Sequence, residues 1–334
     1  MSCEWSHKIF SVKDLDFGPL SIEIFRFQYN NNPVYNAYVK ALGIDPGNVE
    51  SISQVPFLPI SFFKTHTVQA TLFNPQITFE SSGTTGANTS RHSVKSLDLY
   101  EESFTRGFER VYGPVNDWCI IGLLPSYLER ENSSLVYMVN KMISQSNQPE
   151  SGFYLDEYEV LKHVLTKLEG RQQKTLLIGV TFGLLDFAAK YPIPLKHTVI
   201  METGGMKGRR KEMIRDEVHA ELKRAFHVQT IHSEYGMTEL LSQAYSKGDG
   251  IFECPPWMRV IVRDEDDPLN LREPGGSKNE KGMSGILNVI DLANIWSCSF
   301  IATDDAGKVF ENGNFEVQGR VDNSDIRGCN LLIV

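Results

Sequence analysis

Between residues 118 and 232 short apolar runs alternate with amphipathic stretches, and this alternation constrains the fold more than any other feature of the chain. Residues 118–124, 174–181, 197–201 and 228–232 predict buried strands. Residues 133–144, 156–169, 184–190 and 209–226 predict helices between them. The last is the clearest, because Ile214, Val218, Leu222 and Phe226 recur every four residues on one face. Strands alternating with helices imply a mostly parallel sheet covered by helices, with ligands gathered at the carboxyl ends of its strands.

The flanks have a different texture. Residues up to about Ala70 predict helices joined by loops. Pro56 and Pro59 then impose an extended entry segment. A strand limited by Pro75 leads into residues 79–86, Phe-Glu-Ser-Ser-Gly-Thr-Thr-Gly, and a helix is expected over 96–112. From about Gly248 come short strand candidates at 258–263, 285–290, 299–302 and 314–318, separated by turn residues. They predict a small antiparallel or barrel-like subdomain, with an exposed loop over 264–281.

Bulk properties narrow the class. The 334 residues are 41% hydrophobic and carry a net charge of −9, which argues against a nucleic-acid or membrane-surface binder. No apolar run approaches a membrane span. The five cysteines, Cys3, Cys119, Cys254, Cys298 and Cys329, are odd in number and scattered, as in a reducing cytoplasm.

Ser81, Ser82, Gly83, Thr84, Thr85 and Gly86 place four hydroxyls among two glycines. Such a loop can turn hydroxyls and backbone N–H groups into one concavity that suits a polyphosphate. It is not a Walker A loop, because no Gly-Lys-Ser/Thr follows. Three further stretches follow in order: Tyr235-Gly236-Met237-Thr238-Glu239 after a strand, Thr303-Asp304-Asp305-Ala306-Gly307 after a strand, and Gly319-Arg320-Val321-Asp322. Singly, each has an ordinary structural explanation: a core aromatic, a turn, a solvated arginine.

Together they resemble the adenylate-forming enzymes, which include acyl-CoA synthetases, luciferase-type enzymes and peptide-synthetase adenylation domains. Gly282 to Leu287 is similar to that family's glycine turn before a strand. The resemblance implies an α/β adenylating core over residues 1–247 and a β-rich subdomain over 248–334 that completes the nucleotide site. It implies ATP and Mg²⁺ acting on a carboxylic acid. Ser81 to Gly86 would hold the β- and γ-phosphates, and Thr85 and Thr238 would serve catalysis. Tyr235 would stack on adenine beside Gly204, Gly205 and Gly236. Glu239 would hold Mg²⁺, Asp305 the ribose hydroxyls, and Arg320 ribose or phosphate.

Two departures select a branch. The Pro-Lys that usually follows the loop is replaced by Ala87-Asn88-Thr89-Ser90-Arg91. The sequence also ends soon after Arg320, so the mobile C-terminal lid domain with its lysine is expected to be absent. Both features are similar to the acyl-protein synthetases, the LuxE-like component of the bacterial bioluminescence fatty-acid reductase. The segments 55–64, 123–129 and 202–210 look similar too. In that branch the acyl group passes to a cysteine near the C-terminus and then to a reductase partner; here Cys329, beside Arg327, stands there. An aryl- or acyl-CoA ligase similar to phenylacetate-CoA ligase, and a nucleotide-binding pseudo-enzyme scaffolding an acyl-transfer complex, remain open. Phe182, Met201 and Met237 would admit a lipid tail or serve as core.

Overall fold

A computed structural model describes residues 2–81, 89–124, 132–155, 157–204, 213–265, 267–272 and 282–321. Thr85, the rest of Ser82 to Gly86, Gly205, Asp322, Arg327 and Cys329 lie outside these. The chain forms two compact units, both discontinuous in sequence. The first comprises Met1–Phe104, Gly236–Gln243 and Glu253–Val317; the second comprises Thr105–Tyr235, Ala244–Phe252 and Gln318–Val334. The expected break at 247/248 falls inside Ala244–Phe252, which stays with the second unit.

The second unit holds the parallel sheet. Its strand order is Gly152–Phe153, Cys119–Leu123, Thr175–Val180, Thr198–Thr203, His232–Tyr235 and Ala244–Ser246, and only the last pairs antiparallel. Cys119, Ile121 and Leu123 alternate onto one face and meet Leu161, Leu165 and Leu168 of the helix Tyr158–Gly170. Period two on the strand and three to four on the helix bring these side chains to one core. Removing any one of these leucines to alanine costs about 2–5 kcal/mol. The helix Ser134–Gln145 begins as expected, with the Ser133 hydroxyl accepting from the Val136 N–H.

Several boundaries differ from expectation. The helix expected from 209 starts at Arg215, and Ile214 stands before it, exposed, while Val218, Leu222 and Phe226 are buried. The last parallel strand begins at His232 rather than ending there, so Tyr235 lies within a strand. The expected loop over 264–281 contains a short strand, Leu271–Arg272, pairing with Val262 and Arg263.

The first unit is built on an antiparallel sheet. Its strands follow the order Phe315–Arg320 (through Val317, with Gln318 onward in the second unit), Phe300–Val309, Met283–Asp291, Met258–Arg263 and Leu271–Arg272. The entry segment contributes Leu58–Pro59, parallel to Ile301 and Ala302. The N-terminal helices join this sheet through Phe300, whose ring meets Phe25, Tyr35 and Phe57 at centroid distances of 6.4, 6.4 and 5.9 Å. Asn32 caps the helix Pro33–Ala41, accepting from Val34 and Tyr35, and donates across to the Ser297 carbonyl. A side chain that both caps a helix and reaches the connection between the strands Met283–Asp291 and Phe300–Val309 ties sequence-distant segments into one unit.

The stretch Thr303 to Gly307, expected as a turn after a strand, lies inside the strand Phe300–Val309. The register passes from Asn288↔Ala302 to Ile286↔Ala306, so Thr303, Asp304 and Asp305 stand opposite Leu287 alone. This is a bulge of the larger, special kind. The Thr303 hydroxyl closes it by donating to the Leu287 carbonyl at 2.7 Å, and Arg263 Nη2 donates to the Thr303 carbonyl at 2.7 Å.

Candidate functional site

Ser81 stands at the base of a hairpin that leads into the Gly-rich segment. Ile77–Glu80 and Arg91–Val94 pair antiparallel, with Phe79 opposite His92. Ser81 extends the ladder: its N–H donates to the Ser90 carbonyl, and its hydroxyl accepts from the Ser90 N–H, both at 3.0 Å. The strand Arg91–Val94 was not apparent from sequence. It is four residues long and alternates Arg and Ser with buried His92 and Val94.

Thr238 and Glu239 also belong to the first unit, in a turn held by His92 and Asn294, which are far from it and from each other in the sequence. Ring nitrogen Nδ1 of His92 lies 2.8 Å from the Thr238 carbonyl oxygen. Nε2 lies 2.9 Å from Asn294 Oδ1. The Asn294 amide Nδ2 donates to the Glu239 carbonyl at 2.7 Å and to the Cys298 carbonyl at 2.9 Å. With both amide donors spent on carbonyls, Asn294 presents only an acceptor to His92. Both ring nitrogens thus face acceptors, a demand met in full only by a protonated ring. Burial pulls the His92 pKa below the usual imidazole range, while the Thr238 carbonyl, the Glu239 charge and Asn294 favour the proton.

Asp291 anchors the same segment from the other end. Its carboxylate accepts from the Leu241 and Ser242 N–H groups at 2.8 and 3.0 Å, and from the Ser242 hydroxyl at 2.6 Å. Burial raises the Asp291 pKa, and these donors oppose the rise. Glu239 is fully buried and Thr238 half-buried. Asp305, nearly buried, sits on the bulged strand, its N–H donating to the Thr303 hydroxyl at 3.1 Å. Among the described residues no three His, Cys, Asp or Glu side chains cluster to hold a metal. Glu239 is a carboxylate that could hold a nucleotide-bound Mg²⁺, an ion that takes one or two carboxylates and completes its shell with phosphate and water oxygens.

The second unit holds Gly204, Tyr235 and Arg320. At the carboxyl ends of its parallel strands lies a cavity of about 20 Å³, room for one water, lined by Glu202, Gly204, Arg215, Ser233, Glu234 and Tyr235 among others. Gly204 has φ +69°, and its carbonyl accepts from the Thr181 hydroxyl at 2.9 Å. The Tyr235 ring, buried, tilts against Phe252 with centroids 5.8 Å apart. Arg320 is half-buried in the strand Phe315–Arg320. Phe182 and Met201 are buried, and Met237 is half-buried.

Two carboxylates at this cavity escaped sequence reasoning. Glu202 accepts from the Ser233 hydroxyl at 3.1 Å and the Thr181 hydroxyl at 3.3 Å, lies 3.0 Å from His219 Nε2, and pairs with Arg215 at 3.7 Å. Burial pushes its pKa up, but His219, Arg215 and Ser233 more than reverse this and leave it below the usual range. Glu234 takes the Thr203 hydroxyl at 2.5 Å, and burial raises its pKa to about 7. The available signal was a glutamate in each of two otherwise strand-like runs.

The model of the family "Acyl-protein synthetase, LuxE" matches residues 17–334. The chain belongs to this family. A long-chain-fatty-acid–luciferin-component ligase of Vibrio harveyi is 24% identical over 92% of this chain and 84% of its own. Among solved structures, a 2-hydroxyisobutyryl-CoA ligase in complex with its acyl-AMP matches with TM-score 0.60 at 9% identity, over 95% of this chain and 70% of that one. ATP-bound MatB of Rhodopseudomonas palustris matches with TM-score 0.51 at 17% identity, over 75% of this chain; the chain spans half of MatB's length. The acyl-protein synthetase therefore has the adenylate-forming α/β fold. No helix among its described residues is long and apolar enough to cross a membrane.

Proposed function

We propose that this acyl-protein synthetase uses ATP to activate a fatty acid and passes the acyl group to a protein thiol. A carboxylate oxygen attacks the α-phosphorus, the α–β phosphoanhydride bond breaks, and pyrophosphate leaves. A thiolate then attacks the acyl carbonyl and AMP leaves with the bonding electrons. The attack brings negative charges together, so fixed donors and a cation must be in place beforehand. Mg²⁺ would supply that positive charge at the phosphates. Glu239 is the residue assigned to hold it, Thr238 to donate to the α-phosphate, and Asp305 to accept from the ribose. Ser81 and the residues through Gly86, Thr85 included, would grip the outer phosphates. Tyr235, Gly204, Gly205 and Gly236 would meet the base, and Arg320 the ribose or phosphate.

The observation that supports this reading best is the fixed Thr238–Glu239 turn, a buried carboxylate whose flanking carbonyls are both captured. The fatty acid is suggested by the name of the Vibrio harveyi relative. Cys329 is the proposed acyl acceptor, with a reductase as onward partner. The buried thiols Cys119 and Cys298 are unpaired in disulfide terms and fit a reducing cytoplasm.

A panel of carboxylic acids tested for ATP–pyrophosphate exchange decides the first step. Exchange driven by long-chain acids is the expected result; no exchange with any acid would sink the activation. Labelled acyl chain should stay on the wild-type protein and be lost from Cys329→Ser. Equal retention removes Cys329, and release as acyl-CoA makes the chain a CoA ligase.

A further inference from the structure

We propose that His92 is a positioning residue for acyl-adenylate formation, setting the orientation of Glu239 through its backbone. The inference rests on the reading of Glu239 given above. A peptide plane is rigid, so a residue's orientation is set by the planes on either side of it. The plane before Glu239 carries the Thr238 carbonyl, 2.8 Å from His92 Nδ1. The plane after it carries the Glu239 carbonyl, which accepts from Asn294. His92 Nε2 in turn meets Asn294 Oδ1, which fixes the amide that makes that bond. One ring thus governs both planes, the first directly and the second through Asn294.

The ring itself has little freedom. It is 1% exposed, and its edge stands against Phe63 with centroids 5.8 Å apart at 89°. Its backbone is paired opposite Phe79, on the strand next to Ser81. The hydrogen bonds span 146 and 202 residues of sequence. A core histidine serving only stability would need acceptors, but not two that lead to consecutive carbonyls around an acid. Misplacing a catalytic group by an ångström costs about 100-fold in rate without large loss of binding.

The test compares wild type, His92→Phe and His92→Gln in pyrophosphate exchange and in calorimetric binding of ATP with and without Mg²⁺. Phenylalanine keeps the ring and removes both nitrogens; glutamine restores one polar end. His92→Phe is expected to lose about 100-fold in kcat with KM for ATP within threefold, and His92→Gln to recover about tenfold of that. Independently of turnover, His92→Phe should bind ATP but lose the gain in affinity that Mg²⁺ gives wild type. Exchange within twofold of wild type, an unaltered Mg²⁺ effect, or failure of both variants to fold would each overturn the assignment. Wild-type protein inert with every acid would instead remove the activation chemistry, so the two failures are distinct.

Discussion

Two carboxylates on neighbouring strands of the second unit, Glu234 buried and Glu202 with a side chain 12% exposed, have proton affinities that move in opposite directions. Glu202 gathers two hydroxyls, an imidazole and a guanidinium, while the bond described for Glu234 is a single threonine hydroxyl. Burial raises both; the number and charge of the donors decides which one ends below its usual range. The first unit handles its buried acid Asp291 by a third route, with backbone N–H groups instead of cations. Charge at the carboxyl ends of the strands is therefore a matter of partners, not depth.

The largest test of that contrast removes the well-supplied acid. Glu202→Ala leaves His219 and Arg215 without their shared counter-charge and should cost about 3–5 kcal/mol in denaturant unfolding. A loss below about 1 kcal/mol would mean that the donors do not explain the difference. The second test titrates the poorly supplied one. The folded pKa of Glu234, about 7, lies above its ordinary 4.5, so the native state holds the extra proton between them. Its stabilisation is complete below about pH 4.5 and lost as pH rises through 7, on the order of 3 kcal/mol in all. Glu234→Gln should abolish that slope. His232, two residues earlier, works in the other direction: burial lowers it to about 4, and stability falls as pH drops from 6.5 through 4. The smallest effect is expected where solvent screens the charges. Arg91 and Glu80 lie 3.8 Å apart at the hairpin base, both largely exposed, and Arg91→Ala should change stability by under about 0.5 kcal/mol.

The parallel sheet was legible because continuous apolar runs and a helical period are local signals. Thr175–Val180 and the helix Ser134–Gln145 fall within a residue or so of expectation. Asp304-Asp305-Ala306-Gly307 misled because its turn-like composition also suits a bulge inside a strand. The N-terminal helices gave no hint of their partner sheet, since Phe25, Tyr35 and Phe300 are linked only by folding. The nucleotide-handling candidates were legible through family resemblance. His92 and Asn294 were not: no local pattern ties a histidine on a four-residue strand to an asparagine 202 positions later.

The bulge at Leu287 has one more consequence. Three residues facing one amount to two in excess, an even number. Beyond it Ala306, Gly307, Lys308 and Val309 alternate between half-buried and buried, and Gly307 passes within reach of Glu316, where a methyl group would lie 2.2 Å from the carbonyl oxygen. The bulge thus has to deliver a residue without a side chain to that point, because any Cβ there would also lie 2.9 Å from the Leu287 side chain.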